Sequence, residues 1–165
     1  MSAFRHITIT SIKYDNIRYT ENMKIALSAC LYGKNVRYDG GNKKNQEILD
    51  LLEGHEILLF CPEFEAGLPL PHDPIELKDG KAVTSKGEDL NDLLQKTSSK
   101  VYERIKDCDF VILKQKSPTC GKGKIYDGTF TSTLIEGNGI FASLCLVKGM
   151  KAFTEEEIDQ LKKEL

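Results

Sequence analysis

Three short apolar segments have the composition of buried β-strands, and two segments with helical periodicity separate them. The strand-like segments cover residues 24–30, 56–61 and 109–114. Between them, residues 43–53 predict a helix that ends at Gly54, and the apolar stripe from Leu90 to Ile105 predicts a longer amphipathic helix. Strands that alternate with helices form a parallel sheet covered by helices. The sequence therefore predicts an α/β fold: a single three-layer domain whose small, mainly parallel sheet is flanked by helices in a Rossmann-like arrangement.

The remaining segments predict smaller elements around this sheet. Residues 75–83 contain Asp79-Gly80 between apolar residues and predict a hairpin. The apolar run 140–147 follows a Gly-Asn-Gly sequence and predicts a buried helix, while Thr154 and Glu157 have the spacing of a capping box for the last helix. Segments that combine glycine and proline with polar residues are predicted loops, at residues 62–74 and 115–139.

The start of the chain stands apart from the predicted core. Ile7, Ile9 and Ile12 lie among polar residues and favour a short edge strand, and the first core strand opens only after this segment. We therefore expect an N-terminal extension at residues 1–22, followed by one folded domain at residues 23–165.

Composition and charge argue against several classes of protein. The chain has 165 residues, enough to bury the core of a single domain. Its formal net charge of −2 argues against general nucleic-acid binding, which favours a basic surface. No apolar run approaches the length of a bilayer-spanning helix, and the polar start lacks the order of a secretory signal. We therefore expect a cytoplasmic protein without a membrane partner, while its oligomeric state stays unknown at this stage.

The cysteines fall into two groups when they are placed on the predicted sheet. There are five of them, an odd number at irregular spacing, which in a cytosolic protein favours free thiols over a disulfide framework. Cys30 is predicted to end the first strand, Cys61 to end the second, and Cys120 to follow the third. Because parallel sheets bind ligands beyond the carboxyl ends of their strands, these three thiols are expected to meet at one edge. Cys108 begins the third strand at the opposite edge, and Cys145 lies in an apolar run of the core.

Three convergent thiols are compatible with more than one chemistry. A structural zinc ion normally takes four protein ligands, often from close pairs of cysteines that this chain lacks. Three thiolates on a [4Fe-4S] cluster would leave one iron free for a substrate atom, although the spacing of ferredoxins is absent. A metal-free nucleophilic cysteine would need a base, and His72 is the histidine nearest the expected edge. Each cysteine taken alone is more often a buried core residue.

Four motifs follow one another along the chain: SACLYGKNVRYDGG at residues 28–41, CPEFEAGLPLP at 61–71, ILKQKSPTCG at 112–121 and YDGTF at 126–130. In this order they resemble the motifs of the thiouracil desulfidase family. The resemblance covers about residues 23–153, and the combination is far more specific than any single motif. At one position the chain departs from the family, because His72 stands where the glycine-proline loop usually ends in arginine.

The resemblance implies an oxygen-sensitive enzyme that removes sulfur from 2-thiouracil or a related thiolated nucleobase or nucleoside, giving a uracil-type product and sulfide. Its partner is then a small thiolated pyrimidine. The implied cofactor is a [4Fe-4S] cluster with one iron not ligated by protein, held by Cys30, Cys61 and Cys120. By motif position, the catalytic glutamate and serine of the family correspond to Glu63 and Ser117.

The candidate site residues also have interpretations that involve no catalysis or cluster. Glu63 taken alone is a solvated carboxylate, and Ser117 is a turn-forming serine before proline. Residues 37–39 would line the pocket, or Asp39 would cap a turn. Lys114 ends the third strand, where it would offset the charge of the thiolates or extend into solvent.

Two other classes of function remain open at this stage. One is a non-catalytic carrier of metal, sulfur or an iron–sulfur cluster that uses the same thiols. The other is a metal-free cysteine hydrolase or redox enzyme. Iron and acid-labile sulfide analysis of anaerobically purified protein would separate these classes from a cluster-dependent desulfidase.

Overall fold

Four parallel strands form the central sheet of the protein, in a computed structural model that describes residues 22–165. The strands lie in the order β2-β1-β5-β8. Their bounds are Lys24–Ser28 (β1), Glu56–Phe60 (β2), Phe110–Leu113 (β5) and Ala152–Thr154 (β8). Two antiparallel hairpins flank the sheet: β3 (Ile75–Lys78) with β4 (Lys81–Thr84), and β6 (Lys124–Tyr126) with β7 (Leu134–Glu136).

Six helices of the described residues cover the sheet or follow its strands at their carboxyl ends. Their bounds are Ala29–Tyr32 (α1), Gln46–Leu51 (α2), Pro62–Glu65 (α3), Asn91–Ile105 (α4), Ile140–Val147 (α5) and Ile158–Glu164 (α6). None of the helices within residues 22–165 is long and apolar enough to cross a membrane.

Strands β1 and β5 are buried on both faces, which is why they appear in the sequence as continuous apolar runs, whereas the edge strand β2 is only partly buried. Successive side chains of a strand point to opposite faces. Ala26, Val111 and Leu113 accordingly pack with α4 and α5 on one side. The neighbouring side chains of β1 and β5 pack with α1, α2 and α6 on the other side, and they include Ile25, Leu27, Phe110 and Ile112. The predicted three-layer α/β architecture is therefore confirmed.

Several predicted elements lie where the sequence placed them. Helices α2, α4 and α5 fall within the segments predicted for them, and the β3–β4 hairpin extends one residue past its predicted segment, to Thr84. The capping box forms in part: the Thr154 N–H donates to Oε2 of Glu157 over 2.9 Å, but the hydroxyl of Thr154 accepts from Glu156 instead of Glu157. The predicted edge strand at Ile7, Ile9 and Ile12 lies outside the described residues.

The predicted strands and loops differ from the structure in several details. Strand β1 ends at Ser28, so Cys30 lies in the short helix α1, which Gly33 closes with a left-handed φ of 109°. Cys61 follows β2 and precedes α3, a single turn inside the predicted loop 62–74. The predicted loop 115–139 contains the β6–β7 hairpin. Strand β8 was not predicted, because three residues are too few to show a period.

Candidate active site

A cavity of about 580 Å³ opens at the carboxyl ends of β1, β2 and β5. This volume lies in the range of about 300–1,000 Å³ that is usual for ligand pockets. The cavity is lined by all five residues that the resemblance implied as ligands or catalytic groups, namely Cys30, Cys61, Glu63, Ser117 and Cys120. The structure therefore brings these side chains together, although they come from three separate segments of the chain.

Cys30 reaches the cavity from the first turn after β1. Its carbonyl accepts the N–H of Lys43 over 2.9 Å, which ties α1 to the segment that enters α2. Leu31, beside it, is buried in the core with Ile48 of α2. The short helix is thus held by packing, and the Cys30 thiol lies at the cavity wall with 8% of its residue surface exposed.

Cys61 and Glu63 are placed by the single turn of α3. Pro62 begins this turn, where its missing N–H costs no helical hydrogen bond. The Cys61 N–H donates to Oε2 of Glu65 over 2.9 Å, and Glu65 also forms an ion pair with Arg104 of α4. Arg104 in turn donates to the Leu59 carbonyl in β2. These contacts fix the turn that carries both Cys61 and Glu63.

Cys120 lies in a tight turn that its own neighbours close. The Ser117 hydroxyl oxygen accepts the N–H groups of Thr119 over 3.2 Å and of Cys120 over 3.1 Å. The helix α5 packs directly on this turn at Gly139, where a Cβ atom would lie 2.5 Å from the backbone of Thr119. The N–H of Ile140 donates to the Pro118 carbonyl. The turn is therefore fixed from both sides.

The three thiols share a buried and electrostatically coupled environment. Burial raises the pKa of Cys30 to about 11, against the lowering effect of Lys114 and Arg37. Burial also raises the pKa of Cys61 to about 12 and that of Cys120 well above its usual value. The thiols are coupled as well, because a negative charge on one of them disfavours ionisation of the others. The thiols are therefore protonated at neutral pH unless a metal is bound, and metal binding would release the protons.

Glu63 is half-buried and is linked to the Cys120 turn through Thr119. The Thr119 hydroxyl donates to Oε1 of Glu63 over 3.4 Å and lies 3.1 Å from the Ser117 hydroxyl. Burial raises the pKa of the Glu63 carboxyl, against the lowering effects of His72, Thr119 and Arg37. The sequence analysis did not single out Thr119. The signal that could have indicated it is its position directly before the predicted ligand Cys120 in the SPTC segment.

Lys114 lines the cavity and also forms an ion pair. Its ammonium donates to Oε1 of Glu155 over 2.6 Å and to the carbonyl of Gln115. Its charge favours the thiolate of Cys30. Of the two expectations, the structure therefore supports the one in which Lys114 offsets thiolate charge. Glu155 was not predicted, because it follows the unpredicted strand β8.

The residues after α1 divide between the cavity and its rim. Arg37 and Tyr38 line the cavity, and the Arg37 guanidinium lies 5.7 Å from the centre of the Tyr38 ring. Asp39 is not among the lining residues, and its carboxylate accepts the Gly41 N–H over 2.9 Å. Asp39 therefore caps a turn. The backbone N–H of His72 donates to the Tyr38 carbonyl, and His72 is not among the residues that line the cavity.

The other two cysteines lie away from the cavity. Cys145 of α5 is fully buried in the core beside the sheet. Cys108 precedes β5 at the amino-terminal edge, where burial raises the pKa of its thiol against the lowering effect of Lys24. The division of the thiols into three and two follows from the topology of the sheet.

The donor set of the cavity fits a [4Fe-4S] cluster, because it offers three thiols from three separate segments of the chain. No cysteine of residues 22–165 is in a disulfide. Within the same residues, no group of three His, Cys, Asp or Glu side chains could hold one metal ion. In a cluster each thiolate binds a different iron, so the ligands stand further apart than they do around one ion. Three thiols around a shared cavity fit that arrangement.

The fold and the cavity define a class of small α/β proteins that gather thiols at the carboxyl edge of a parallel sheet. A family model described as 2-thiouracil desulfurase matches residues 25–157. The chain belongs to this family.

Two similar proteins cover most of the chain. The protein YbbK of Bacillus subtilis (strain 168) is 33% identical over 149 residues, which are 83% of this chain and 99% of YbbK. The solved structure of the [4Fe-4S]-dependent thiouracil desulfidase TudS superposes with a TM-score of 0.78 at 33% sequence identity. That match covers 85% of this chain and 95% of TudS.

Proposed function

We propose that this protein is a [4Fe-4S]-dependent desulfidase that converts 2-thiouracil, or a related thiolated nucleobase or nucleoside, into the uracil-type product and sulfide. The observation that carries the proposal is the convergence of Cys30, Cys61 and Cys120 with Glu63 on one cavity. The similarity to TudS supports it, because TudS is a thiouracil desulfidase that depends on such a cluster.

Cys30, Cys61 and Cys120 would hold three irons of the cluster and leave the fourth without a protein ligand. When bound, the cluster supplies a Lewis-acidic iron for which the soft sulfur of a thiocarbonyl is a suitable donor. Lys114 and Arg37 favour the thiolate form of Cys30, and they would offset part of the negative charge of the loaded site.

Glu63 is the group best placed to move protons in this cavity. The reaction exchanges the sulfur of a C=S group for the oxygen of water and releases hydrogen sulfide, so protons are transferred but no net electrons. Glu63 would take a proton from the attacking water and return one to the departing sulfur. Thr119 orients the Glu63 carboxylate, and Ser117 holds the Cys120 turn and would hydrogen-bond the substrate.

The test is anaerobic reconstitution followed by two measurements on the same sample. We expect about four irons and four acid-labile sulfides per chain, together with release of sulfide and uracil from 2-thiouracil. Protein that binds the cluster but releases no sulfide from any thiolated pyrimidine would support a carrier instead. Protein that desulfurises without iron would overturn the proposal.

A further inference from the structure

The loop between β6 and β7 contributes to the cavity wall, and the proposed mechanism does not use it. This loop, residues 127–133, contains most of the YDGTF motif. Phe130 and Ser132 of the loop line the cavity, as does Tyr126 just before it.

The backbone of Phe130 has a conformation that a bulky residue rarely adopts. Its φ is 57°, and that of Ser132 is 59°. Glycine and asparagine enter this left-handed region at lower cost, so a phenylalanine there needs a surrounding structure that holds it in place. Such positions concentrate at functional sites, and here the residue in the rare conformation carries an aromatic ring that lines the cavity.

Glu76 of β3 holds the loop from the inside. Glu76 is buried, with 8% of its residue surface exposed. Its Oε1 atom accepts the N–H groups of Gly128 and Phe130, each over 3.1 Å. Gly128 lies so close to β3 that a Cβ atom would stand 2.6 Å from Cβ of Lys78. Buried carboxylates need such hydrogen bonds, and here both donors belong to the backbone that carries the phenylalanine.

A row of hydroxyl groups holds the same loop from the outside. The Thr129 and Thr131 hydroxyls lie 2.6 Å apart, and those of Thr131 and Thr133 lie 2.8 Å apart. Asp127 accepts both the N–H and the hydroxyl of Thr129. The threonines thus alternate with the two residues that line the cavity, so the loop is fixed with Phe130 on the cavity side.

Two of the three other aromatic residues that line the cavity already have a stacking partner within the protein, and Tyr126 has none among the described residues. Phe60 is buried against Phe141, with ring centres 4.9 Å apart, and Tyr38 stacks with Arg37. Among residues 22–165, no second ring or cation stacks on Phe130. A thiolated pyrimidine is a flat conjugated ring, and such rings stack on aromatic side chains whatever their substituents.

We propose that Phe130 contacts the face of the substrate ring and that Glu76 is the positioning residue that holds Phe130 there. This inference rests on the proposed function, since it assigns the recognition of a flat heterocycle to the same cavity. It makes Phe130 a determinant of substrate binding, whereas Glu63 serves the chemical step.

The first test compares Phe130→Leu with wild-type protein after anaerobic reconstitution. Leucine keeps the apolar character but removes the aromatic face. We expect the KM for 2-thiouracil to rise on the order of tenfold, with kcat within about twofold and the cluster absorption unchanged. Tyr102→Leu, on α4 and outside the cavity lining, is the matched control and should leave KM unchanged.

The second test separates positioning by Glu76 from a merely structural effect. Glu76→Gln keeps an oxygen that accepts both N–H groups and should retain a KM close to wild type, whereas Glu76→Leu should raise KM as Phe130→Leu does. The double variant Glu76→Leu/Phe130→Leu should be no worse than either single variant, because both act through one contact. Glu136→Leu, on the exposed strand β7, is the control for the substitution itself.

A measurement of equilibrium binding separates a failure of this inference from a failure of the proposed function. Titration of the loaded protein with uracil, and of its Glu63→Gln variant with 2-thiouracil, gives affinities that do not depend on turnover. About tenfold weaker binding in Phe130→Leu supports the inference even if wild-type protein releases no sulfide, an outcome that would overturn only the proposed function. Unchanged affinity and KM in Phe130→Leu, or additive effects in the double variant, would overturn the role of Phe130 or of Glu76. Wild-type protein that binds neither pyrimidine would overturn both assignments.

Discussion

The ammonium nitrogen of Lys114 lies 2.6 Å from Oε1 of Glu155, and the pair joins the end of β5 to the segment after β8. The second carboxylate oxygen, Oε2, accepts the backbone N–H of Gln115 over 2.7 Å. One carboxylate therefore holds both a cavity-lining cation and the start of the segment that leads to Cys120. The short edge strand β8 thus contributes to the active site, because Glu155, the residue directly after it, holds this segment in place.

Loss of this carboxylate charge is expected to destabilise the fold. Both partners are largely buried, with side-chain exposures of 21% for Lys114 and 15% for Glu155. Glu155→Gln should lower the free energy of unfolding by about 1–3 kcal/mol, because a half-buried ammonium and a backbone donor lose a charged acceptor. Urea unfolding of the reduced protein, followed by circular dichroism without oxygen, measures the change.

The neighbouring residue supplies the control for that measurement. Glu156 pairs with Lys116 over 3.7 Å, and both side chains are 40% or more exposed. Exposed pairs contribute little, so Glu156→Gln should change the free energy of unfolding by less than about 1 kcal/mol. An equal loss in both variants would mean that the position of Glu155 has no special importance.

The three cavity cysteines are expected to be required for the cluster. Cys30→Ser, Cys61→Ser and Cys120→Ser should each abolish the intact [4Fe-4S] cluster, because a serine oxygen is a poor replacement for a thiolate on iron. Iron content and visible absorption after anaerobic reconstitution are the measurements.

Serine variants of the other two thiols are the matched controls. Cys108→Ser and Cys145→Ser should retain the cluster, since Cys108 lies at the opposite edge and Cys145 is enclosed in the core. Loss of iron in either of these variants, at unchanged folding, would contradict the assignment of the ligands.

Glu63 and Ser117 are expected to affect turnover more than cluster binding. Glu63→Gln and Ser117→Ala should keep the visible absorption of the cluster and lose most desulfidation, by a factor of ~10²–10⁴ for a positioned proton-transfer group. Sulfide release from 2-thiouracil is measured together with the iron content of each variant. Rates near wild type in both variants would refute the assigned roles and leave the ligand assignment intact.

Ser117 needs one further variant because its hydroxyl also closes the Cys120 turn. Asparagine accepts backbone N–H groups in turns of this kind, so Ser117→Asn should hold the turn without the hydroxyl. We expect full iron content and low turnover in this variant. Recovery of normal turnover would show that Ser117 acts only as a turn cap.

Thr119 is expected to act through Glu63. Thr119→Val preserves the shape of a buried side chain and removes the hydroxyl that donates to the carboxylate. Loss of one hydrogen bond of about 1.4 kcal/mol corresponds to roughly a tenfold lower kcat. In the Glu63→Gln background the same substitution should have a much smaller effect, and a full tenfold effect there would contradict the link.

The N-terminal extension is expected to be dispensable. The described sheet begins at Lys24, and the described residues that line the cavity begin at Ser28. A shortened chain that begins at Met23 should therefore fold and bind the cluster. Aggregation of the shortened chain, or failure to bind iron, would show that residues 1–22 are integral to the domain.

The sequence by itself determined the type of fold and which thiols converge. Apolar strand runs that alternate with amphipathic helices allow few arrangements other than a parallel sheet, and parallel strands present their carboxyl ends at one edge. That reasoning put Cys30, Cys61 and Cys120 on the same side and excluded Cys108, even though it extended the first strand two residues too far.

Only the tertiary structure decided which residues support that site. Thr119, Glu155 and Glu76 act through partners 56, 41 and 54 positions away in the chain, namely Glu63, Lys114 and Phe130. No local period or turn signal reports such pairs, because they form when separate elements pack together. Strand β8 is hidden for the same reason: three residues become a strand only when β5 lies beside them and supplies the hydrogen bonds.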